Sequence, residues 1–113
     1  MTKTFLKKAT ILSVFEFQGD EKKLFGKFLL GFVIKDETNR FENNFRVITS
    51  SIDSQERSKY TTKSGNTYVV NAEAEKLDIT FAEYVLMSDC LFSPDEILHM
   101  RQASQRNDER KLH

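Results

Sequence analysis

The hydrophobic pattern of this chain changes its period once, and that switch limits the folds open to it. Up to about Asn71, apolar residues alternate with a period near two; beyond about Thr80 they recur at helical spacing. Strands first and helices last is the signature of an α+β domain. The expected architecture is a bent antiparallel sheet of four to five strands, in one form small and barrel-like, followed by two short C-terminal helices. A length of 113 residues suits a single domain. We place it at 1–103, with a frayed tail over 104–113, where nothing apolar appears after Ala103 until Leu112.

The strands follow from alternation and from turn residues. The first is expected at about Ala9 to Gln18, with Ile11, Phe15 and Phe17 on one face and Leu12 and Val14 on the other. Gly19-Asp20 ends it, and Lys22 and Lys23 read as a polar connection. The second, about Lys27 to Lys35, is apolar on both faces, as a strand covered on both sides or a barrel strand requires. Gly31 in its middle marks a bulge or bend. A third strand is expected at about Phe45 to Ile52, with a loop at Asp53 to Glu56. Arg57 to Lys63 and Thr67 to Asn71 then flank Ser64-Gly65-Asn66, a hairpin turn.

Two caps mark the helices. Thr80 with Glu83 and Ser93 with Glu96 both fit the capping box, and Pro94 occupies a favoured first helical position. Leu77, Ile79 and Phe81 nearly alternate, so a further strand over Lys76 to Phe81 competes with a helix lead-in there. The helical pair is expected to cover the sheet with Phe81, Tyr84, Val85, Leu91, Phe92, Ile97 and Leu98.

Between residues 31 and 70 runs a series of elements: Gly31-x-Val33, Asp36, Arg40-Phe41, Thr49-Ser50-x-Ile52, Thr62-x-Ser64-Gly65 and Tyr68-x-Val70. This series resembles small uncharacterised β-rich proteins encoded by bacteriophages, plasmids and other mobile elements. Those relatives turn on a glycine after the Arg-Phe pair; here Asn43-Asn44 stand instead. The resemblance implies a bacterial or phage origin, and no reaction.

Most catalytic signatures do not occur. The glycines at 19, 26, 31 and 65 form no phosphate loop, and one cysteine with two histidines cannot fill a tetrahedral zinc site. Cys90 and His99 lie across the helix-helix turn, where a thiol-imidazole pair is conceivable; the favoured reading makes Cys90 a buried small residue and His99 a partly exposed helical one. No catalysis, cofactor or metal is expected. The single cysteine fits a reducing cytoplasm. No segment approaches the roughly 20 apolar residues of a membrane span, and Met1 to Lys8 does not read as a signal peptide.

Charge is segregated along the chain although the total is zero. Met1 to Lys35 holds seven lysines against Glu16, Asp20 and Glu21, a local charge of +4. Leu77 to His99 holds five acids and no lysine or arginine, a local charge of −5. The acids Asp78, Asp89, Asp95 and Glu96 outline a candidate face for a basic partner; Asp95 and Glu96 equally suit the positive end of a helix. Lys22, Lys23 and Lys27 interleave with Phe25 and Phe28, and Arg40, Arg46 and Lys63 extend this basic set if the loops gather at one end. Cations beside rings suit a single-strand nucleic-acid groove. A helix-turn-helix reader is disfavoured, because its recognition helix would present Asp95 and Glu96 to phosphates. The leading expectation is a non-catalytic protein-interaction module, an accessory or inhibitor protein of a phage or mobile element. Its partner is another protein or a second copy in a homodimer. The alternative is a nucleic-acid-binding small β domain using the basic N-terminal half.

Overall fold

The computed structural model describes the backbone of residues 2–111 and the side chains of residues 2–103. Six strands come first: β1 (Thr4–Gln18), β2 (Glu21–Asp36), β3 (Arg46–Glu56), β4 (Lys59–Thr62), β5 (Thr67–Val70) and β6 (Glu75–Thr80). Two helices follow, α1 (Phe81–Asp89) and α2 (Pro94–Lys111). The chain divides into a β unit, Met1–Thr80, and a helical unit, Phe81–His113. The α+β class and the order of its parts are as expected. The tail expected over 104–113 falls outside the residues whose side chains are described.

β1 has three partners. One edge pairs antiparallel with β2 along the whole strand. The other edge pairs in parallel with β5 over Thr4–Leu6, then with β6 over Thr10–Phe15. Since β2, β3, β4 and β5 pair in sequence, the return of β5 to β1 closes the pairings into a ring, with β6 attached to β1. The sheet is therefore mixed and has six strands, where a purely antiparallel sheet of four or five was expected. Local alternation predicts strands but does not carry the direction in which distant strands meet.

Every strand of the ring contributes to one core: Leu6, Ile11, Leu29, Val33, Val47, Tyr60, Tyr68 and Val70. The opposite face of β1, β2 and β6 holds a second buried set, Leu12, Val14, Phe28, Leu30 and Ile79. This double burial matches the two-faced hydrophobicity read in β2. The competing strand near residue 76 is also realised, as β6.

Changing partners along one edge requires β1 to bend. Between Lys7↔Phe32 and Thr10↔Leu30 it has one residue more than β2, and Lys8 takes a left-handed φ of 52°. Gly31 stands opposite this bulge. A Cβ there would lie 3.0 Å from the Leu6 Cβ and 3.1 Å from its Cδ1, and Leu6 is fully buried. The glycine lets the two strands approach where the sheet bends.

Two strands run further than the alternation suggested. β2 begins at Glu21, so Lys22 and Lys23 are strand residues and not a connection. β3 continues through Glu56, because β4 pairs with it as far as Glu56↔Lys59. The hairpin turn at Ser64-Gly65-Asn66 is present, with Gly65 at φ 85°.

In the helical unit the Ser93 box forms reciprocally: the Glu96 N–H donates to Ser93 Oγ at 3.1 Å, and the Ser93 N–H donates to Glu96 Oε1 at 3.3 Å. Glu83, expected to reach back toward Thr80, holds the Arg101 guanidinium with both carboxylate oxygens, at 2.6 and 2.7 Å. The apolar face expected of the helices is only partly buried. Ile97 is buried and Tyr84 and Phe92 are half-buried, but Phe81, Val85, Leu91 and Leu98 are exposed. The buried stripe of α1 runs through Tyr84 and Met87, and Phe81 and Val85 project from a different side of this short helix.

The Gly31 contact generates a test. Gly31→Ala forces a methyl against a Leu6 side chain with no room to retreat and should destabilise the fold by about 1–3 kcal/mol. Urea denaturation checks this. Gly19→Ala is a poor control, because Gly19 needs its positive φ of 64°; Ser50→Ala on the exposed surface is a better one.

Candidate functional site

The β unit carries one feature that its own core does not require. β1 leaves β6 at Phe15↔Thr80, and β2 joins β3 only from Phe28↔Ser51 onward. Between these points residues 16–27 form a two-stranded arm, closed by a turn at Gly19-Asp20. Gly19 has the positive φ of 64° that the first central position of a tight hairpin turn demands. The register runs Phe15↔Leu24, Glu16↔Lys23, Phe17↔Lys22 and Gln18↔Glu21. Because Val14 pairs with Gly26 and Phe15 with Leu24, Phe25 is the extra residue of a bulge.

Strand alternation continues into the arm after the core ends, and this creates its surface. Phe17 is 62% exposed, Leu24 51% and Phe25 50%. Phe15, Phe17, Leu24 and Lys22 share a face, since residues directly opposite in an antiparallel pair point the same way. The Lys22 ammonium lies 4.1 Å above the Phe15 ring. Phe25 turns to the other side and stacks on Phe28, with ring centroids 6.1 Å apart. Gly26 makes room for that stack, because a Cβ there would lie 3.2 Å from the Phe28 ring.

The structure divides the residues of the basic set. Lys22, Lys23, Phe25 and Lys27 belong to the arm. Lys63 lies near its root, where its N–H donates to the carbonyl of Ser51, the residue opposite Phe28. Arg40 and Arg46 lie toward the other end of the strands. Arg46 is opposite Phe32, which pairs with Lys7, ten residues along β1 from Phe17 or roughly 30 Å of strand. Arg40 donates from Nε to Thr38 Oγ1 at 2.8 Å, and its guanidinium lies 4.8 Å from the Phe41 ring centroid. The loops therefore do not gather the basic residues at one end.

The acidic set divides as well. Asp78 sits on β6 opposite Ser13, whose other neighbour is Lys27, so this acid belongs to the same cross-strand row as a lysine of the arm. Asp89, Asp95 and Glu96 are exposed residues of the helical unit, and Glu96 caps its own helix. Cys90 is exposed where a buried residue was expected, because it follows the last turn of α1, and His99 is exposed too.

Two features escaped the sequence reading. The first is Asp36, read only as part of a polar turn. Its Oδ1 accepts from Thr4 Oγ1 at 2.8 Å, from the Thr38 N–H at 2.9 Å and from the Thr38 hydroxyl. Its Oδ2 accepts from the N–H groups of Arg40 and Phe41 at 2.7 and 2.8 Å. Five donors on one carboxylate hold the loop between β2 and β3. Desolvation alone would raise its pKa, but the bonds from Thr38, Thr4 and Phe41 outweigh it and hold the carboxyl well below the usual range. An aspartate two residues before a threonine is a recurrent turn signal and the only clue the sequence offered.

The second is a cleft of about 460 Å³ beside the β5–β6 connection, floored by Ile11, Tyr60, Val70 and Ala74 and rimmed by Gln55, Arg57, Glu73 and Lys76. Burial and the Glu73 charge push the Tyr60 hydroxyl up, against a lowering hydrogen bond from Gln55. Tyr60 therefore stays protonated at neutral pH, a hydrogen-bonding phenol and not a nucleophile. Among the described residues no three His, Cys, Asp or Glu side chains gather as metal ligands, and no helix is long and apolar enough to cross a membrane. Compared with known protein families, curated proteins and solved structures, the chain finds no match.

The Asp36 hub predicts a pH dependence. Its pKa is lowered on folding, so its contribution to stability is complete above the unfolded value near 4 and falls away as pH drops below it. Asp36→Asn must turn an NH₂ group toward either the hydroxyls or the two backbone amides. It should cost on the order of 1–2 kcal/mol at pH 7 and flatten the acid limb of the stability curve. Thermal melts of both proteins between pH 2 and pH 7 check this.

Proposed function

We propose that the chain is a non-catalytic protein-interaction module, an accessory or inhibitor protein of a phage or mobile element, and that the β1–β2 arm is its contact surface. The observation that carries this reading is the exposure of Phe17, Leu24 and Phe25 on a short ribbon outside the core of the β unit. Large apolar side chains clustered at the surface, with charged residues around them, have the make-up of a protein contact: an apolar centre and a polar rim.

The arm's charge favours a protein over a nucleic acid. Rings beside lysines suit single-stranded bases and phosphates. Yet Lys22, Lys23 and Lys27 share the arm with Glu16, Asp20 and Glu21, so its net charge is zero. Glu16 stands directly opposite Lys23, and Lys22 is engaged over Phe15. A phosphate backbone gains little from such a surface, because its affinity rests on uncompensated cations. Arg40 and Arg46, which would have added them, lie toward the far end of the strands.

The test is affinity capture from the native host with mass spectrometry, using the wild type and a Phe17→Ser, Leu24→Ser double variant. Both residues are mostly exposed, so the variant should fold. The expected result is a reproducible partner whose capture falls at least tenfold in the variant. No partner that depends on the arm, together with a monomer in solution, would overturn the reading. Gel shifts at low salt should stay negative for single- and double-stranded DNA and RNA. A shift that weakens steeply with salt and disappears on charge reversal at Lys22, Lys23 and Lys27 would move the assignment to nucleic-acid binding.

A further inference from the structure

We infer that the arm docks on a second copy of the chain, the segment Glu21–Lys27 of each copy pairing antiparallel with the other about a two-fold axis at Leu24. This rests on the reading of the arm as the contact surface and names its partner. Within the β unit, these residues of β2 pair with β1 on one edge and meet no strand on the other, since β3 begins to pair at Phe28. An open strand edge of this kind recruits another strand, and a two-fold operation is the simplest closed way to satisfy it.

The sequence of the segment, Glu-Lys-Lys-Leu-Phe-Gly-Lys, is self-complementary in this register. Glu21 lies opposite the partner's Lys27 and Lys27 opposite the partner's Glu21, so the operation generates two ion pairs from one. Lys22 faces the partner's Gly26, Lys23 faces the partner's Phe25, and Leu24 faces the partner's Leu24. No like charges stand directly opposite. Phe25, the bulged residue, keeps its ring on Phe28 of its own chain. The stripe formed by Phe15 and Leu24 continues across the axis into the same stripe of the second copy.

The neighbouring registers fail on charge. Strands that keep their faces slip by two residues at a time. One such slip sets Lys23 opposite the partner's Lys23; the other sets Lys23 opposite the partner's Lys27 in both halves. Each places like charges across the pair, which is destabilising in a sheet. Lysine spacing therefore selects one register as well as restraining open-ended pairing.

A seven-residue strand edge is a small interface, so the dimer should be in exchange with monomer at micromolar concentrations. Sedimentation of the full chain in low salt, across roughly 10 μM to 1 mM, reads it directly. The wild type should dimerise reversibly. Glu21→Lys and Lys27→Glu alone should each weaken the dimer tenfold or more, and the double exchange should restore it to within about threefold. Circular dichroism of the three variants should be unchanged, since both residues are exposed. A monomer throughout the range overturns the proposal, as does a dimer that neither single reversal weakens, or one that the double exchange fails to restore. Capture of a host protein that depends on Phe17 and Leu24 by a strictly monomeric chain would overturn the dimer while leaving the interaction reading intact.

Discussion

The close approach of β1 to β2 at Gly31 is the constraint on which the β unit depends. A fifteen-residue strand cannot keep one pair of neighbours around a small ring of strands, because the sheet must curve away from it. β1 resolves this by bending at Lys8, one residue out of step with β2. Its first residues then meet β5, and its later ones meet β6. Without a side chain at position 31, Leu6 comes within 3.1 Å of where a Cβ would stand, and the ring closes over the core containing Tyr60 and Tyr68. Overpacking at this point would be felt by both edges of β1.

The same strand explains why charge read along the chain differs from charge read in space. The acids and lysines were counted as separate blocks, +4 at the front and −5 behind. Sheet pairing interleaves them. Glu16 faces Lys23 across the arm, and Asp78 is brought by β6 to the row of Lys27 through Ser13. Cross-strand neighbours lie about 5 Å apart, well inside the screening length at physiological salt, so these local pairings outweigh the block totals in setting the surface field. Conversely, Arg40 and Arg46 are close in sequence to β2 and distant in space from its basic end.

Much of the fold was legible because its signals are local. The turn at Ser64-Gly65-Asn66 and the box at Ser93 each require particular residues within four positions, and both form as read. The two-sided hydrophobicity of Phe28 to Val33 correctly announced a strand buried on both faces. The failures share a cause. Lys22-Lys23 and Asp53 to Glu56 looked like loops because they are polar, but they are strand residues held by backbone pairing to a neighbour and exposed on the surface, where side-chain polarity carries no information about backbone conformation. The parallel edges of β1 and the five donors on Asp36 depend on residues 28 or more positions apart or on backbone amides, and no alternation pattern encodes either. For the candidate site, the arm's residues were named but its shape was not, and the basic set was assembled from residues that do not meet.

An exposed apolar ribbon must also be held in one shape, since two strands alone are marginal in water. Here each turn of the ribbon has its own restraint. Gly19 fixes the tip in a turn whose twist matches the strands, and Glu16 and Lys23 pair across the middle. Lys22 spends its charge on the Phe15 ring, and Phe25 is pinned on Phe28, whose ring is 7% exposed and anchored at the ring of strands. These contacts lower the conformational entropy that binding would otherwise have to remove. They leave Phe17 and Leu24 as the large apolar side chains of the arm without an aromatic partner of their own, held on a shaped support. The stiffness of the arm and the exposure of its tip are thus two consequences of the same short stretch of sequence, in which alternation outlasts the core it first served.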